Sequence, residues 1–283
     1  MSWIEVSAQF AKTPEDWSPL VDLFLQHGIE NTMQVDFPPC LSACVVEVPG
    51  SESTIESLRT ALIGAGATDV SVAPYIEQDW EEAWKKFFKP RRIGKRFVVR
   101  PTWEEFEAND TDLVIVLDPG QAFGTGDHPT TRMCLALLED ADVAGKHVLD
   151  IGCGSGVLSV GAKLLGADRV DAVDIEPLAV EVTKENAVLN KVDVNAYVGD
   201  GLAPLGSNLE GKAPSVILSN IISAALMRLA PDVARIIDLR GRWIVSGILH
   251  ANWPDVKKAA ERAGFKLHNM LEEDDWVAAT FLR

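Results

Sequence analysis

The ten residues HVLDIGCGSG, His147 to Gly156, constrain this chain more than any other stretch. A short apolar run ends at an acid, Asp150, and gives way to glycines at alternate positions, Gly152, Gly154 and Gly156. That order reads as a strand, a tight loop and the start of a helix. Glycine permits positive φ and presents no Cβ, so a ligand can lie against the loop backbone. The apolar periodicity of Val157 to Leu165 predicts a helix whose first amide groups face that ligand. Alternating glycines alone are a weak signal, because nucleotide sites of several kinds and ordinary turns share them.

Charge separates the possibilities. A dinucleotide fold carries GxGxxG and must accept an anionic pyrophosphate. Here the third glycine falls one residue early, Val157 holds the expected place, and Asp150 stands at the strand end. A carboxylate there repels phosphate, attracts an ammonium group and suits a donor that is cationic at sulfur. Asp174 ends the run RVDAVD, 22 residues beyond Gly152, where it can accept hydrogen bonds from both ribose hydroxyls. An acid at that distance fits NAD equally well. Asp150 and the glycine spacing together favour S-adenosyl-L-methionine.

With 283 residues, 47% of them hydrophobic and 24% charged, the chain has the length for two domains and the composition of a soluble globular protein. No basic region followed by a long apolar segment opens it, and no uncharged apolar run approaches the roughly 18 to 20 residues that span a bilayer. The expected location is therefore cytoplasmic, with no membrane partner. Cys40, Cys44, Cys134 and Cys153 show neither a disulfide framework nor zinc spacing, so no metal is expected. Cys153 reads as a small apolar filler rather than a nucleophile, having no histidine near it in sequence.

A net charge of −16 argues against DNA or nonspecific nucleic-acid binding and favours a basic partner. The acids crowd residues 1–74, where only Lys12 and Arg59 oppose them. By contrast Lys85, Lys86, Lys89, Arg91, Arg92, Lys95, Arg96 and Arg100 form a stretch without an acid, which is either a solvated face or a contact for something acidic.

Taken in order, residues 1–76 predict strand Trp3–Phe10, helix Pro14–His27, strands Thr32–Phe37 and Ala43–Val48, helix Ser53–Gly64 and strand Val70–Ile76. This βαββαβ order is that of a small α+β ferredoxin-like sandwich, serving as a scaffold or as a docking surface for a basic protein. Residues 77–94 predict a helical linker, amphipathic through Trp80 and Trp84 and ended by Pro90. Strands are expected at Arg96–Pro101 and Leu113–Leu117, before a second glycine-rich loop, DPGQAFGTGDHPTT, which has the composition of a lid and leads into a helix reaching Leu138. From His147 strand and helix alternate, and Phe265–Leu271 with Trp276–Leu282 predict a closing hairpin. Residues 95–283 are thus expected to form an α/β, Rossmann-like domain of the class I methyltransferase kind, a seven-stranded, mostly parallel sheet with an antiparallel edge hairpin.

Six segments resemble one family closely, the methyltransferases that modify ribosomal protein eleven of the large subunit. They are DWEEAWKKFFKP (79–90), DPGQAFGTGDHPTT (118–131), VLDIGCGSGVLS (148–159), VDIEPLAV (173–180), SNII (219–222) and SGIL (246–249). The glycine loop is common to methyltransferases at large; AFGTGDHPTT is the specific piece. Ser219 stands where the family more often has alanine, and Arg242 where it has glycine. The resemblance implies transfer of methyl groups from S-adenosyl-L-methionine to lysine ε-amines and the N-terminal α-amine of that basic protein, carried to trimethylation. It also implies substrate recognition by the N-terminal domain, and the basic stretch from Lys85 to Arg100 becomes a possible contact for nearby ribosomal RNA.

The residues fall into roles accordingly. Asp150 supports the glycine loop and the cofactor ammonium, Asp174 the ribose and Asp200, in VGDG, the adenine edge; Gly152, Cys153, Gly154, Gly156 and Ile175 border the same ligand. Phe123, Gly124, Thr125, Gly126 and Thr131 would close over its methionine end. Asn220 is expected to place the amine, against the plainer reading of a strand-end cap, and His128 either takes up the released proton or braces its loop. Three rivals remain. A methyltransferase for base nitrogens or glutamine would place Pro-Pro-aromatic after the asparagine, whereas Ile221 and Ile222 follow Asn220. A related lysine methyltransferase with another protein substrate and a noncatalytic ribosome-assembly factor on the same fold are the other two.

Overall fold

A computed structural model describes residues 3–14, 16–29, 31–36, 38–46, 51–74, 88–118, 126, 128–203 and 213–283. The chain divides into two compact units, residues 1–87 and 88–283. The first contains β1 (Trp3–Gln9), α1 (Ser18–Gln26), β2 (Thr32–Asp36), β3 (Pro39–Val46), α2 (Ser51–Gly64) and β4 (Asp69–Pro74). Its sheet runs β2-β3-β1-β4 and is antiparallel throughout, the ferredoxin-like order. Strand alternation turns Val6 and Ala8 inward, against Phe24 of α1 and Leu58 and Leu62 of α2, all fully buried. Helix α1 begins later than its apolar pattern suggests, because the Asp16 carboxylate accepts the Ser18 N–H at 2.8 Å and Pro19 sits in the first turn.

The second unit opens with a three-stranded sheet, β5 (Arg91–Ile93), β6 (Phe97–Pro101) and β7 (Leu113–Leu117), with β5 antiparallel and β7 parallel to β6. Sequence predicts only the last two of these. Residues 91–93, assigned to the linker on composition, pair instead because Ile93 is buried in the core while Arg91 and Arg92 stay exposed. The predicted helix before Pro90 lies outside the described residues.

Seven strands form the main sheet: β8 (His147–Ile151), β9 (Arg169–Asp174), β10 (Asn195–Val198), β11 (Val216–Asn220), β12 (Arg242–Leu249), β13 (Lys266–Glu273) and β14 (Trp276–Leu282). Their order is β10-β9-β8-β11-β12-β14-β13, parallel up to β12, with β14 antiparallel to both its neighbours. Helices α3 (Pro129–Glu139), α4 (Val157–Leu164), α5 (Pro177–Leu189), α6 (Ser223–Ile236) and α7 (Trp253–Arg262) accompany it. Every residue of β8 is buried, as a strand covered on both faces requires. Val148 packs in a cluster with Leu135, Leu138 and Val160, and Leu149 and Ile151 in another with Leu226, Val233 and Trp243. From β8 the chain runs to β9 and β10 on one side, then returns to β11 on the other. The crevice at the carboxyl ends of β8 and β11 is the switch point where open α/β sheets bind ligands. Among the described residues no helix is long and apolar enough to cross a membrane.

Candidate active site

At that crevice lies a cavity of about 440 Å³, a volume suited to a nucleoside-sized ligand. Its walls include Gly152 and Gly154 after β8, Asp174 and Ile175 after β9, Asp200 after β10, and Asn220 to Ile222 after β11. The glycine loop has the conformation its sequence predicts: Gly152, Gly154 and Gly156 have φ of 81°, 52° and 77°. The N–H groups of Gly152 and Cys153 both bind the Val173 carbonyl, at 2.7 and 3.1 Å. Thr183 and Asn186 of α5 donate to the carbonyls of Gly154 and Ser155, at 3.0 and 2.8 Å. A Cβ on Gly152 would come within 2.2 Å of Ile221 Cγ2, so this glycine lets two walls meet.

Asp174 joins the loop to the next strand. One carboxylate oxygen accepts the Gly154 N–H at 2.9 Å and the other accepts the Glu176 N–H at 3.0 Å. Each oxygen keeps a lone pair for a diol in the cavity. The Gly154 amide is thereby satisfied by an acid, whereas a dinucleotide site would offer such an amide to phosphate. The acids Asp174 and Asp200 border the cavity, and the cation among its lining residues, Arg228, is paired with Asp200. The electrostatics therefore suit a cationic ligand better than a pyrophosphate.

Asp150 lies just behind this wall with no exposed surface. Its Oδ2 accepts the Ser159 hydroxyl at 2.7 Å, while its buried Oδ1 has no hydrogen-bond partner. Burial pushes its carboxyl up to about 7, opposed by the Ser159 bond and reinforced by the charge of Asp174. One other buried side-chain atom among the described residues is left orphaned in the same way, Asn220 Oδ1. Asn220 ends β11, next to β8 in the sheet, and its Nδ2 makes a long 3.5 Å hydrogen bond to Thr131 Oγ1. Thr131 is itself fully buried. Two unpaired oxygens at the carboxyl ends of adjoining strands are costly unless a ligand brings donors. An amine at Asn220 would do so, and an ammonium in the cavity would offset the charge of Asp150 from across the wall; in this respect the residues fit S-adenosylmethionine.

Other predicted residues stand further back. Cys153 is buried, its thiol pushed up by desolvation and bonded by Thr183, and Gly156 caps α4 against Thr183. His128 caps α3, its Nδ1 accepting the Thr130 N–H at 3.3 Å, and its ring meets Trp276 edge to face at 4.9 Å. Gly126, at φ 90°, packs against Val99. Phe123, Gly124 and Thr125 lie outside the described residues.

The cavity also uses residues that sequence reasoning passed over. Gly201 flanks Asp200 within VGDG, so its signal was visible; Arg228, Ala225 and Leu229 come from α6 and have no local signature. Gly247, inside SGIL, has φ 79°, and a Cβ there would lie 2.4 Å from the Ile221 carbonyl oxygen. Together with the Ile221 N–H bond to Ser246 at 3.2 Å, this close approach fixes the turn that carries Asn220.

Comparison with known proteins agrees with this geometry. Residues 26–283 match the family model described as "Ribosomal protein L11 methyltransferase (PrmA)". The chain is 47% identical over 204 residues to a ribosomal protein L11 methyltransferase of Heliobacterium modesticaldum, a stretch covering 71% of this chain and 63% of that protein, just under two thirds of its length. It is 43% identical over 225 residues to one of Caldanaerobacter subterraneus, covering 79% and 71% respectively. Among solved structures, the ribosomal protein L11 methylase of Lactobacillus delbrueckii aligns with a TM-score of 0.63 at 28% identity, covering 69% of this chain and 98% of that one.

Proposed function

Because the chain belongs to the ribosomal protein L11 methyltransferase family, we propose that it transfers methyl groups from S-adenosyl-L-methionine to lysine ε-amines and the N-terminal α-amine of ribosomal protein L11. The observation that carries this reading is Asn220 on the cavity wall, whose buried Oδ1 has no hydrogen-bond partner. When bound, the cofactor supplies a methyl carbon activated by its sulfonium, which passes in line to the amine while S-adenosylhomocysteine departs.

The chain's own residues have three tasks. Asp174 holds the ribose hydroxyls, and Asp150, behind the loop, balances the ammonium. The acceptor must be a neutral amine, although free lysine has a pKa of about 10.4 and an α-amine about 8. A cavity walled by Ile221, Ile222, Ala225 and Leu229 disfavours the charged form by desolvation. Asn220 Oδ1 then accepts an N–H of the neutral amine, which turns the nitrogen lone pair toward the methyl carbon. No stacking aromatic follows Asn220, which favours an sp³ amine over a planar amide or base.

The acidic N-terminal unit is the part of the chain suited to recognising a basic protein, and a ribosomal substrate makes the cytoplasm the working location. Contact with ribosomal RNA gains little support, since Lys89, Arg92 and Lys95 are already ion-paired with Glu104, Asp112 and Asp140. The test is intact-mass analysis of recombinant L11 incubated with this protein and S-adenosylmethionine. Mass steps of one methyl each are expected. An unchanged L11 mass, with transfer to another protein, would reassign the substrate; no transfer to any protein despite bound cofactor would favour the assembly-factor reading.

A further inference from the structure

The cavity is bridged by an ion pair that nothing local in the sequence announces. The spacing of Ala225, Arg228 and Leu229 puts all three on the cavity side of α6. The Arg228 guanidinium donates Nη1 to Asp200 Oδ2 at 2.7 Å and Nη2 to Asp200 Oδ1 at 2.6 Å, a two-pronged match of planar groups that fixes orientation as well as distance. Asp200 belongs to the turn after β10, whereas α6 follows β11; in the sheet, β9 and β8 lie between. The pair therefore ties together two flanks of the site that are distant in sequence. Its side chains are 60% and 52% exposed, so it adds little to stability. What it supplies is a carboxylate held at one place and one angle on the cavity wall.

We infer that Arg228 is a positioning residue for the purine of the cofactor, fixing Asp200 as an acceptor for the 6-amino group and so selecting a 6-amino over a 6-oxo purine. The inference rests on the reading of this cavity as an S-adenosylmethionine site. An ionised carboxylate can only accept, and each Asp200 oxygen, having taken one N–H from Arg228, keeps a lone pair. The arginine also lowers the Asp200 carboxyl, which favours its ionised, accepting form. A 6-amino purine has an N–H to give it. A 6-oxo purine would set its own oxygen against the carboxylate, exchanging a hydrogen bond for repulsion between two acceptors.

Calorimetry on the full chain with S-adenosylhomocysteine and S-inosylhomocysteine tests this. The wild type should bind the adenosyl compound at least about tenfold more tightly than the inosyl one. Arg228→Gln, at an exposed position, should melt with the wild type, lose about threefold to tenfold in affinity for the adenosyl compound and narrow the preference. Arg228→Lys keeps the charge without the fork, so it should recover affinity more than preference. Unchanged affinity and preference in Arg228→Gln would overturn the inference while leaving the methyl-donor reading intact. A weaker Arg228→Gln with the same preference would also overturn it, reducing Arg228 to wall packing. A wild type that binds neither compound would overturn the donor reading, and this inference with it.

Discussion

The single acceptor atom that Asn220 presents sets a limit that can be counted in protons. A neutral primary amine offers two N–H groups, a methylated one offers one, and a dimethylated one offers none. If Oδ1 aligns the nitrogen, it can do so for the first and second transfers and not for the third. Asn220→Ala should therefore slow the first two by about a hundredfold and the third far less, read as the time course of mono-, di- and trimethyl masses on L11. An equal slowing of all three would mean that Asn220 shapes the wall instead of orienting the amine. Asp150 belongs to the same scale. Its carboxyl rises from 3.8 to about 7 on folding, so between those values the folded chain keeps a proton that the unfolded chain releases. The Asp150 contribution to stability should be full below about pH 4 and be lost as pH rises toward 7, by an amount on the order of a few kcal/mol. Asp150→Asn carries no charge to bury and should lack that decline in denaturant titrations at pH 5 and pH 8. Asp150 was legible in the sequence because strand and loop chemistry are local. Arg228 was not, since its partner lies 28 residues away and meets it only through the crossover from β10 to β11.

At the scale of elements, the five parallel strands could be read because each is an apolar run stopped by Gly, Asp or Asn. What escaped were features decided by neighbours. Strand β5 contributes one buried side chain, too little for a periodic signal, and the register of β12 with β14 shifts between Val245 and Ile248. A bulge of this kind re-aims a strand, and here Gly247 brings the backbone against Ile221. Ser219 shows the same dependence: its hydroxyl accepts the indole N–H of the fully buried Trp243 at 3.1 Å, a reason for serine that appears only once β11 and β12 are paired. Gly247→Ala should cost about 2 to 4 kcal/mol, from left-handed backbone strain plus a clash with main chain. Gly145→Ala, with φ of 68° and open space around it, should cost only the strain, about 1 kcal/mol. Equal urea midpoints for the two variants would remove the packing role assigned to Gly247.

For the molecule as a whole, every wall of the cavity among the described residues comes from residues 151–229, inside the unit that begins at Phe88. A fragment of residues 88–283 should therefore bind S-adenosylhomocysteine within a few-fold of the full chain, yet methylate L11 poorly if the acidic unit supplies recognition. A fragment that methylates L11 at the full rate would remove that role from the first unit. The ferredoxin-like order of that unit was legible from its alternation of runs; its task was not, because a sheet with two helices carries no chemistry of its own. The confinement of the cavity to one unit has a consequence for descent. If the first unit chooses the client, a gene fusion that replaced the first 87 residues with an unrelated binding module would leave the donor unchanged and redirect the chemistry elsewhere.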